Sequence, residues 1–333
     1  SSVTSYDELG SFTSQQEISY LAYDIYGNAL HQTISTYDAV SGGALLEYKD
    51  IVNSYSGIVT MRLKDNSEVT TDGAIAARRG VALTTTVLRY DNDSATKELI
   101  EEQVTTTSLI DYSGNALIQT TDTTVDGKLS SRTIVENINV NNRGDAQTQR
   151  ITTYSTDSTG EFLKDLSGKL IESSYQELTN REFDSQHRVK NQLIVNYLDS
   201  SKSILLDVQE VRTLTYDARG NATHQVIATY LDLDKADLLD VKEITSSNPD
   251  ALGYFKTVTV KTYDSCTYSV DADITTITPS GLRDVQTTET NEFDKRGNAL
   301  KQTITRFDST NVKIDSQVVV NIGFDFHNRV STS

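Results

Sequence analysis

The sequence has 333 residues and a formal net charge of −17 at pH 7, with 36% of residues in the set AVILMFWYC and no tryptophan. This apolar fraction is low for a thick, spherical hydrophobic core and is typical of a thin sheet with a large solvent-exposed surface. The acidic balance, without any basic cluster, argues against nucleic acid as a partner. The single Cys266 excludes an intramolecular disulfide, and no apolar run approaches the roughly 18 residues of a transmembrane helix.

One motif recurs along the chain. Its clearest copies are YDIYGNALHQTISTYD from Tyr23, YDARGNATHQVIATYLD from Tyr216 and FDKRGNALKQTITRFD from Phe293. The spacing, about 30 to 44 residues per unit, predicts a single continuous repeat array over residues 1–333. The glycine of each copy, or the residue in its place, serves as the anchor: Gly27, Gly57 in a degenerate copy, Gly80, Gly114, Gly144, His187, Gly220, Gly253, Gly297 and His327.

Each anchor is predicted to lie in a tight turn. An aspartate followed three residues later by glycine suits a type I turn, because the aspartate caps the first position and the glycine adopts a positive φ. The residues assigned to such turns are Asp24, Gly27, Gly114, Asp217, Gly220, Asp294 and Gly297.

The segments between turns are predicted to be strands. After each anchor comes an alternating run rich in Thr, Ile, Val and Tyr, then a polar turn, then a second run that often opens with two aliphatic residues. Two second runs, ATKELIEEQVTTT and DKADLLDVKEI, have helix propensity, but their repeat position favours strands. The fold class predicted is all-β, an elongated array of repeated antiparallel β-hairpins, ribbon or solenoid-like.

Two columns of side chains recur at fixed distances from the anchor. Glutamine lies five residues after it at Gln32, Gln119, Gln149, Gln192, Gln225 and Gln302. An aromatic residue lies ten residues after it, on the opposite face by parity, at Tyr37, Tyr90, Tyr154, Tyr197, Tyr230, Tyr263 and Phe307. We expect the glutamines to form an amide ladder from unit to unit, with solvated side chains as the alternative, and the aromatics to pack between units.

The Tyr-Asp-x-x-Gly-Asn turns at Tyr23 to Asn28 and Tyr216 to Asn221, with Phe-Asp at Phe293 to Asn298, resemble the YD-repeat (Rhs-like) family. The resemblance covers nearly the whole chain and implies an extended hairpin array in large secreted or surface proteins. Some relatives form a shell around a toxin, and others serve adhesion. The spacing of about 33 residues exceeds the roughly 20 common in that family. A segment of a very large bacterial surface repeat protein is a looser alternative.

Site chemistry is not predicted. All four histidines fall at repeat positions, and no nucleophile, P-loop or zinc motif is present. Carboxylate-rich turns lack calcium-binding spacing, so we assign no catalytic residue, metal ligand or cofactor.

These observations favour a non-enzymatic structural protein of an extracellular or cell-surface filament, stalk or sheath. The alternatives are an adhesin or carbohydrate-binding array, or part of an Rhs-like toxin shell. Both ends of the sequence cut through a repeat, so the expected partner is the chain itself, end-to-end or in a longer covalent array. Surface glycans or proteins are further candidate partners.

Overall fold

The computed structural model describes residues 1–6, 12–38, 43–271 and 274–333. In it 67% of the residues are strand and 2% are helix, which confirms the predicted all-β fold of repeated antiparallel hairpins. The chain forms two compact units, one mainly from Ser14–Tyr175 and the other mainly from Gln176–Leu198 with Lys202–Ser333.

The first unit is built from the strands up to β11 and one helix. Antiparallel pairs join β2 to β3, β3 to β4 and β4 to β7. Each strand from β7 to β10 also pairs antiparallel with the strand that follows it. The elements are β1 (Ser2–Tyr6), β2 (Phe12–Tyr23), β3 (Ala29–Tyr37), β4 (Leu45–Ser54), β5 (Ile58–Arg62), β6 (Glu68–Asp72), α1 (Gly73–Arg78), β7 (Thr84–Tyr90), β8 (Leu99–Asp111), β9 (Ala116–Val125), β10 (Lys128–Val140) and β11 (Ala146–Ser155).

The inserted segment (residues 55–83) interrupts the repeat between β4 and β7. It forms the hairpin β5–β6 and helix α1, whose N-cap Asp72 accepts a hydrogen bond from the Ala74 N–H at 2.7 Å. Gly57 precedes β5, and Gly80, with φ +74°, ends the turn that follows α1. Neither glycine lies in a hairpin turn of the repeat. The apolar side chains of this segment are instead buried in one cluster with Ile110 of β8; they are Val59, Met61, Ala76 and Leu83.

The second unit continues the same hairpin pattern. Each strand from β13 to β19 pairs antiparallel with the strand that follows it. The elements are β12 (Glu172–Phe183), which begins in the first unit, β13 (Val189–Tyr197), β14 (Leu205–Tyr216), β15 (Ala222–Tyr230), β16 (Leu238–Pro249), β17 (Phe255–Asp271), β18 (Ile274–Phe293), β19 (Ala299–Asp308), β20 (Lys313–Val320), β21 (Ile322–Phe324) and β22 (Val330–Thr332).

The two helix-prone runs are strands, as predicted from their repeat position. They form β8 and β16, each of which pairs on both sides. Ladder hydrogen bonds to two neighbours therefore outweigh the local helix propensity.

The hairpin β17–β18 is longer than its neighbours and forms the distal arm (residues 264–271 and 274–282). Ile277 of this arm packs into the apolar cluster formed by Val208, Val226, Ala228, Tyr230 and Val241 of β14, β15 and β16. The arm therefore covers one face of the sheet in the second unit and supplies part of its core.

Candidate functional site

The recurrent turns are held by an aspartate side chain. Asp24 Oδ1 accepts hydrogen bonds from the Tyr26 and Asn28 N–H groups, each at 2.8 Å, and Oδ2 accepts one from the Asn28 side chain. Gly27 has φ +86°, a conformation that costs side-chain-bearing residues free energy. The same arrangement occurs at Asp111, Asp217 and Asp294, where the glycines are Gly114, Gly220 and Gly297.

Two of the predicted anchors are not glycine. One of them, His187, adopts φ +66°. In the last turn the positive φ of 61° falls on Asn328, and His327 precedes it and donates its N–H to Asp325 at 2.9 Å. The anchor placed at His327 is therefore one residue too early, because asparagine tolerates the left-handed region better than most residues.

The same turn also occurs outside the predicted anchors. Asp157, Asp165 and Asp308 each accept backbone hydrogen bonds from residues two and four positions later. Their sequence signal was present, because each aspartate is followed three residues later by glycine or asparagine.

Successive turns are joined by side-chain hydrogen bonds to backbone carbonyls. In the second unit Arg188 donates to the Asp217 carbonyl at 3.2 Å, and Arg219 donates to the Ala251 carbonyl at 2.8 Å. Arg296 donates to the Asp325 carbonyl at 2.9 Å. In the first unit the inserted segment makes the corresponding contacts. The Asn28 side chain donates to the Ala77 carbonyl of α1 at 2.6 Å, and Arg79, which follows α1, donates to the Ser113 carbonyl in the turn at Asp111 at 3.3 Å. We define these contacts as the turn ladder. Sequence reasoning missed it, although Arg219 and Arg296 directly precede anchor glycines.

Close approach between turns adds a second reason for glycine. A Cβ atom at Gly297 would lie 2.5 Å from the Tyr254 ring, and one at Gly114 would lie 2.5 Å from Arg79 Cβ. Some of these glycines therefore permit both the backbone conformation and the stacking of one turn on the next.

Hydrogen bonding within the turns stabilises the ionised carboxylates. The Arg188 N–H and side chain hold the pKa of Asp184 below its ordinary value. Desolvation would raise the pKa of Asp325, but hydrogen bonds from the backbone and guanidinium of Arg329 lower it to about 2. These turns are thus built to hold charged aspartates at neutral pH.

The glutamine column makes one repeated contact. Gln225 donates to the Thr213 hydroxyl at 3.0 Å, and Gln149 donates to the Asn137 side chain at 2.9 Å. Gln119, Gln192 and Gln302 donate in the same way to the residue twelve positions earlier. Gln32 lies opposite Tyr20 and Ile51.

The expected amide ladder is wrong. On the strand that follows, the residues opposite these glutamines are aliphatic: Gln119 faces Val135, Gln225 faces Ile244 and Gln302 faces Val319. An aliphatic side chain offers no hydrogen-bonding atom, so the amides of Gln119, Gln225 and Gln302 bond the preceding strand of their own hairpin and do not continue to the strand that follows.

The residues of the aromatic column differ in burial. Tyr197 and Tyr230 are buried, and Tyr230 stacks against Tyr268 of the distal arm with ring centroids 6.5 Å apart. In the first unit Tyr90 contacts Tyr48 of the neighbouring strand at 6.1 Å. Tyr37, Tyr154, Tyr263 and Phe307 are half-buried.

The column also marks a recurrent β-bulge. At four column positions the strand pairing shifts by one residue, and the tyrosine lies opposite the first of two consecutive aliphatic residues. These pairs are Tyr37 with Leu45, Tyr90 with Leu99, Tyr197 with Leu205 and Tyr230 with Leu238. The second aliphatic residue has no partner on the opposite strand and forms the bulge, which increases the local twist of the sheet.

A buried charge cluster lies in the second unit. Glu210, 2% exposed, accepts hydrogen bonds from Arg181 at 2.8 Å, Arg212 at 3.0 Å and Lys235 at 2.5 Å. Burial would raise the pKa of Glu210, but the hydrogen bonds from Arg181 and Lys235 lower it. Sequence reasoning missed this cluster, because its members come from different strands and a turn.

Asn191 adjoins this cluster, since it pairs with Arg212 across β13 and β14. It is 0% exposed, and neither its Nδ2 nor its Oδ1 has a hydrogen-bond partner among the described residues. Burying an amide without partners costs free energy, so this position is a local source of instability.

Two histidines pair with carboxylates on the next strand. His31 Nε2 lies 2.6 Å from Asp50 Oδ1, and His224 Nε2 lies 2.9 Å from Glu243 Oε1. Burial would raise the pKa of Glu243, but hydrogen bonds from Tyr263, Lys261 and His224 lower it. Burial and the bond to Glu243 raise the pKa of Tyr263 to about 12.

Cys266 lies in the distal arm with its sulfur 4.0 Å from the Tyr230 hydroxyl. Burial raises the pKa of its thiol, so at neutral pH the sulfur stays protonated and a poor nucleophile. Within the part of the chain that the structure describes, no three His, Cys, Asp or Glu side chains group as metal ligands, and no helix is long and apolar enough to span a membrane.

An open cleft of about 620 Å³ lies where the inserted segment meets the first turn. Tyr23, Tyr26 and Tyr55 line it together with the side chains of Asn53 and Ser54. Tyr23 also stacks against Tyr20, with ring centroids 5.8 Å apart. The side chain of Asn53 is held by the Ala29 carbonyl and the Thr85 hydroxyl. The cleft therefore offers mainly exposed tyrosine rings, which are the groups on which a sugar ring can stack.

No known protein family matches the sequence, and no curated protein matches it. Two solved structures show a weak likeness: a mutant Tc holotoxin pore of Photorhabdus luminescens, at 13% identity and TM-score 0.22, and the TcdB2-TccC3-TEV structure, at 11% and 0.15. Each likeness covers 98% of this chain, which spans only 18% and 22% of those chains. Likenesses at these TM-scores are too weak to assign a function.

Proposed function

We propose that this chain is a structural repeat protein of an extracellular or cell-surface filament, stalk or sheath. The observation that carries the proposal is the turn ladder, in which Arg188, Arg219 and Arg296 each bond the next turn. A contact repeated in this way joins each repeat to its neighbour, which suits an extended array.

The polar residues of the repeat support the same proposal, because they bond mainly to the array itself. The turn aspartates bond backbone N–H groups, and the column glutamines bond the preceding strand. A net charge of −17 spread over the chain favours a solvated surface that resists lateral aggregation. The resemblance to the YD-repeat family supports the surface location, and membership of that family stays a proposal.

A non-enzymatic role is part of the proposal. His31 and His224 each face a carboxylate, and among the described residues neither histidine has a Ser, Thr or Cys hydrogen-bond partner. We expect no turnover of ester, glycoside, phosphate or disulfide substrates by the purified chain. Turnover that disappears in His224→Ala would contradict this.

Immunogold electron microscopy of the producing cells tests the location and role. Antibodies against the purified chain are expected to label a surface filament, stalk or sheath. Label confined to the cell interior, or diffuse label without any ordered structure, would overturn the proposal.

Carbohydrate binding is a second candidate, favoured by the cleft that Tyr23 and Tyr26 line. A glycan array probed with the chain tests it, with Tyr23→Ala and Tyr26→Ala as the site variants. The control is Tyr112→Ala, which removes an exposed aromatic residue from the turn at Asp111. Binding lost in both site variants and kept in the control supports a saccharide site; binding kept in all three excludes the cleft.

A further inference from the structure

A groove of about 360 Å³ lies beside the turn at Asp217, in the second unit. Five hydroxyl side chains and one aromatic ring line it, and we call it the hydroxyl groove: Thr215, Thr223, Thr245, Ser246, Ser247 and Phe255. Its volume is within the range of about 300 to 1,000 Å³ that is usual for small-molecule sites. It shares no lining residue with the cleft at the first turn.

The hydroxyl groove and that cleft have the same position in the repeat. Gly220 lies 193 residues after Gly27, and β15 and β16 correspond to β3 and β4 at the same spacing. Five lining residues of the groove correspond to lining residues of the cleft: Asp217 to Asp24, Thr223 to Leu30, Ser246 to Asn53, Ser247 to Ser54 and Asn248 to Tyr55. The repeat therefore forms a recess at both places, and the side chains at these positions decide what it can bind.

Ser246 occupies a position at which other hairpins have an asparagine. It follows Thr245, which pairs with His224 across β15 and β16. In three other hairpins the asparagine at this position donates to the carbonyl two residues after an anchor glycine: Asn53 to Ala29 at 3.0 Å, Asn137 to Ala116 at 2.9 Å and Asn321 to Ala299 at 2.8 Å. The Ser246 hydroxyl makes no hydrogen bond within the described part of the chain.

The next strand also leaves Ser246 without a hydrogen bond. In other hairpins a column glutamine donates to the residue at this position, as Gln225 does to Thr213 at 3.0 Å. The residue opposite Ser246 on β17 is Val258, five residues after the anchor Gly253, where the column would have glutamine. Because valine offers no hydrogen-bonding atom, the Ser246 hydroxyl stays available to a ligand in the groove.

The charged groups beside the groove already have partners. Asp217 is the one carboxylate among the described residues that line it, and it accepts hydrogen bonds from the Arg219 N–H and from the N–H and side chain of Asn221. His224 also lines it, and its Nε2 lies 2.9 Å from Glu243 Oε1. Serine and threonine hydroxyls both donate and accept hydrogen bonds. The groove thus suits a neutral ligand with several hydroxyl groups better than a charged one.

We propose that the hydroxyl groove binds a neutral saccharide ring. Ser246 is a hydrogen-bonding residue of this site, and Phe255, which lies opposite Pro249 across β16 and β17, provides an apolar surface for the face of the sugar ring. The proposal rests on the second candidate function, carbohydrate binding, and adds to it a further site and a preference for uncharged sugars.

Saturation-transfer-difference NMR on the full chain tests the proposal. The chain carries Tyr23→Ala and Tyr26→Ala, so that the cleft at the first turn does not contribute to the signal. The neutral probes are the methyl glycosides of glucose, galactose, mannose and N-acetylglucosamine, each at about 10 mM, which is tenfold above a Kd of about 1 mM. The charged probes are the methyl glycosides of glucuronic acid and glucosamine. At least one neutral probe is expected to bind, and the charged probes are expected to bind more weakly.

Two substitutions restore to this hairpin the residues that other hairpins have. Ser246→Asn supplies the side chain that would bond the Ala222 carbonyl and fill the groove, and Val258→Gln supplies the column amide that would bond Ser246. Each is expected to raise the Kd at least about tenfold and to keep the melting temperature, because each adds a hydrogen bond that the repeat already uses. The control Ser316→Asn, at an exposed position of β20 outside the groove, is expected to leave the Kd unchanged.

Three results would overturn the proposal. The first is the absence of binding of every neutral probe at about 10 mM in the chain with Tyr23→Ala and Tyr26→Ala. The second is a Kd that is unchanged by both Ser246→Asn and Val258→Gln. The third is tighter binding of a charged probe than of any neutral one. If the wild type binds a neutral probe and the chain with Tyr23→Ala and Tyr26→Ala does not, carbohydrate binding belongs to the cleft at the first turn alone.

Discussion

Replacing Glu210 by glutamine tests the buried charge cluster. The carboxylate is almost fully buried and accepts hydrogen bonds from Arg181, Arg212 and Lys235. Glu210→Gln keeps the shape of the side chain and removes its charge. Three cations would then remain around a neutral amide, one of whose two polar atoms is itself a donor.

The expected cost follows from the burial of each cation. Removing one partner from a buried ion pair typically costs about 3–5 kcal/mol, because the remaining charge is left uncompensated. The Arg212 side chain is only 7% exposed, whereas those of Arg181 and Lys235 are 21% and 35% exposed and can turn toward water. We therefore expect the lower end, about 3 kcal/mol.

Hydrogen exchange followed by mass spectrometry measures this cost locally, on the peptide that contains β14. A loss of about 3 kcal/mol in the free energy of opening corresponds to about a hundredfold faster exchange, for amides that exchange only from the opened state. The control is Glu136→Gln, whose half-exposed pair with Arg150 is expected to contribute less than about 1 kcal/mol.

The difference in exchange between the wild type and Glu210→Gln should also depend on pH, in a direction set by the pKa of Glu210. The pKa of Glu210 is lowered in the folded chain from its ordinary 4.5, so its ionisation stabilises the fold above that value and the contribution is lost as the pH falls through the folded pKa. The difference between the wild type and Glu210→Gln is expected to be full at about pH 7 and smaller at about pH 3. Equal exchange in both proteins at neutral pH, or a difference that does not shrink in acid, would refute this reasoning.

Other substitutions probe the turns and the core of the second unit. Gly297→Ala is expected to lower the free energy of unfolding by at least about 1 kcal/mol more than Gly220→Ala does. Both positions have a positive φ, but only at Gly297 would the added Cβ collide with the Tyr254 ring. Equal melting temperatures of the two variants would contradict this. Asn191→Leu is expected to stabilise the unit by about 1 kcal/mol or more, since it removes two polar atoms without partners; a lower denaturation midpoint would show that the amide is satisfied. Tyr230→Ser is expected to cost about 3 kcal/mol, and a loss below about 0.5 kcal/mol in chemical denaturation would exclude its packing role. Calcium is expected to be dispensable, so a chelator that lowers the melting temperature by more than about 3 °C would contradict that expectation.

The sequence by itself determined the hairpins, because the information that forms them is local. Asp24 and Gly27 lie three residues apart, and the aspartate bonds backbone N–H groups within the same turn. The strands follow from short β-branched runs, and the repeat decided between strand and helix for β8 and β16. A pattern read over a few residues is sufficient for these features.

The register of the strands and the fold of the inserted segment were decided by the tertiary structure. The glutamine column was visible in the sequence, but Gln225 bonds Thr213 and faces Ile244 because of the register of three strands. The inserted segment contains an α-helix whose Ala76 is buried in one cluster with Val59 and Met61 of β5 and Ile110 of β8. Its residues, including Gly80, were read as repeat positions from spacing alone.

The charge cluster and the distal arm also needed the tertiary structure. Arg181, Glu210 and Lys235 are separated by more than twenty residues in sequence, and only the order of strands brings them together. Tyr268 reaches Tyr230 because the arm folds onto the sheet face. Local backbone chemistry thus fixed the repeating hairpin, whereas contacts between distant residues, which depend on register and on burial against other elements, fixed where its side chains bond.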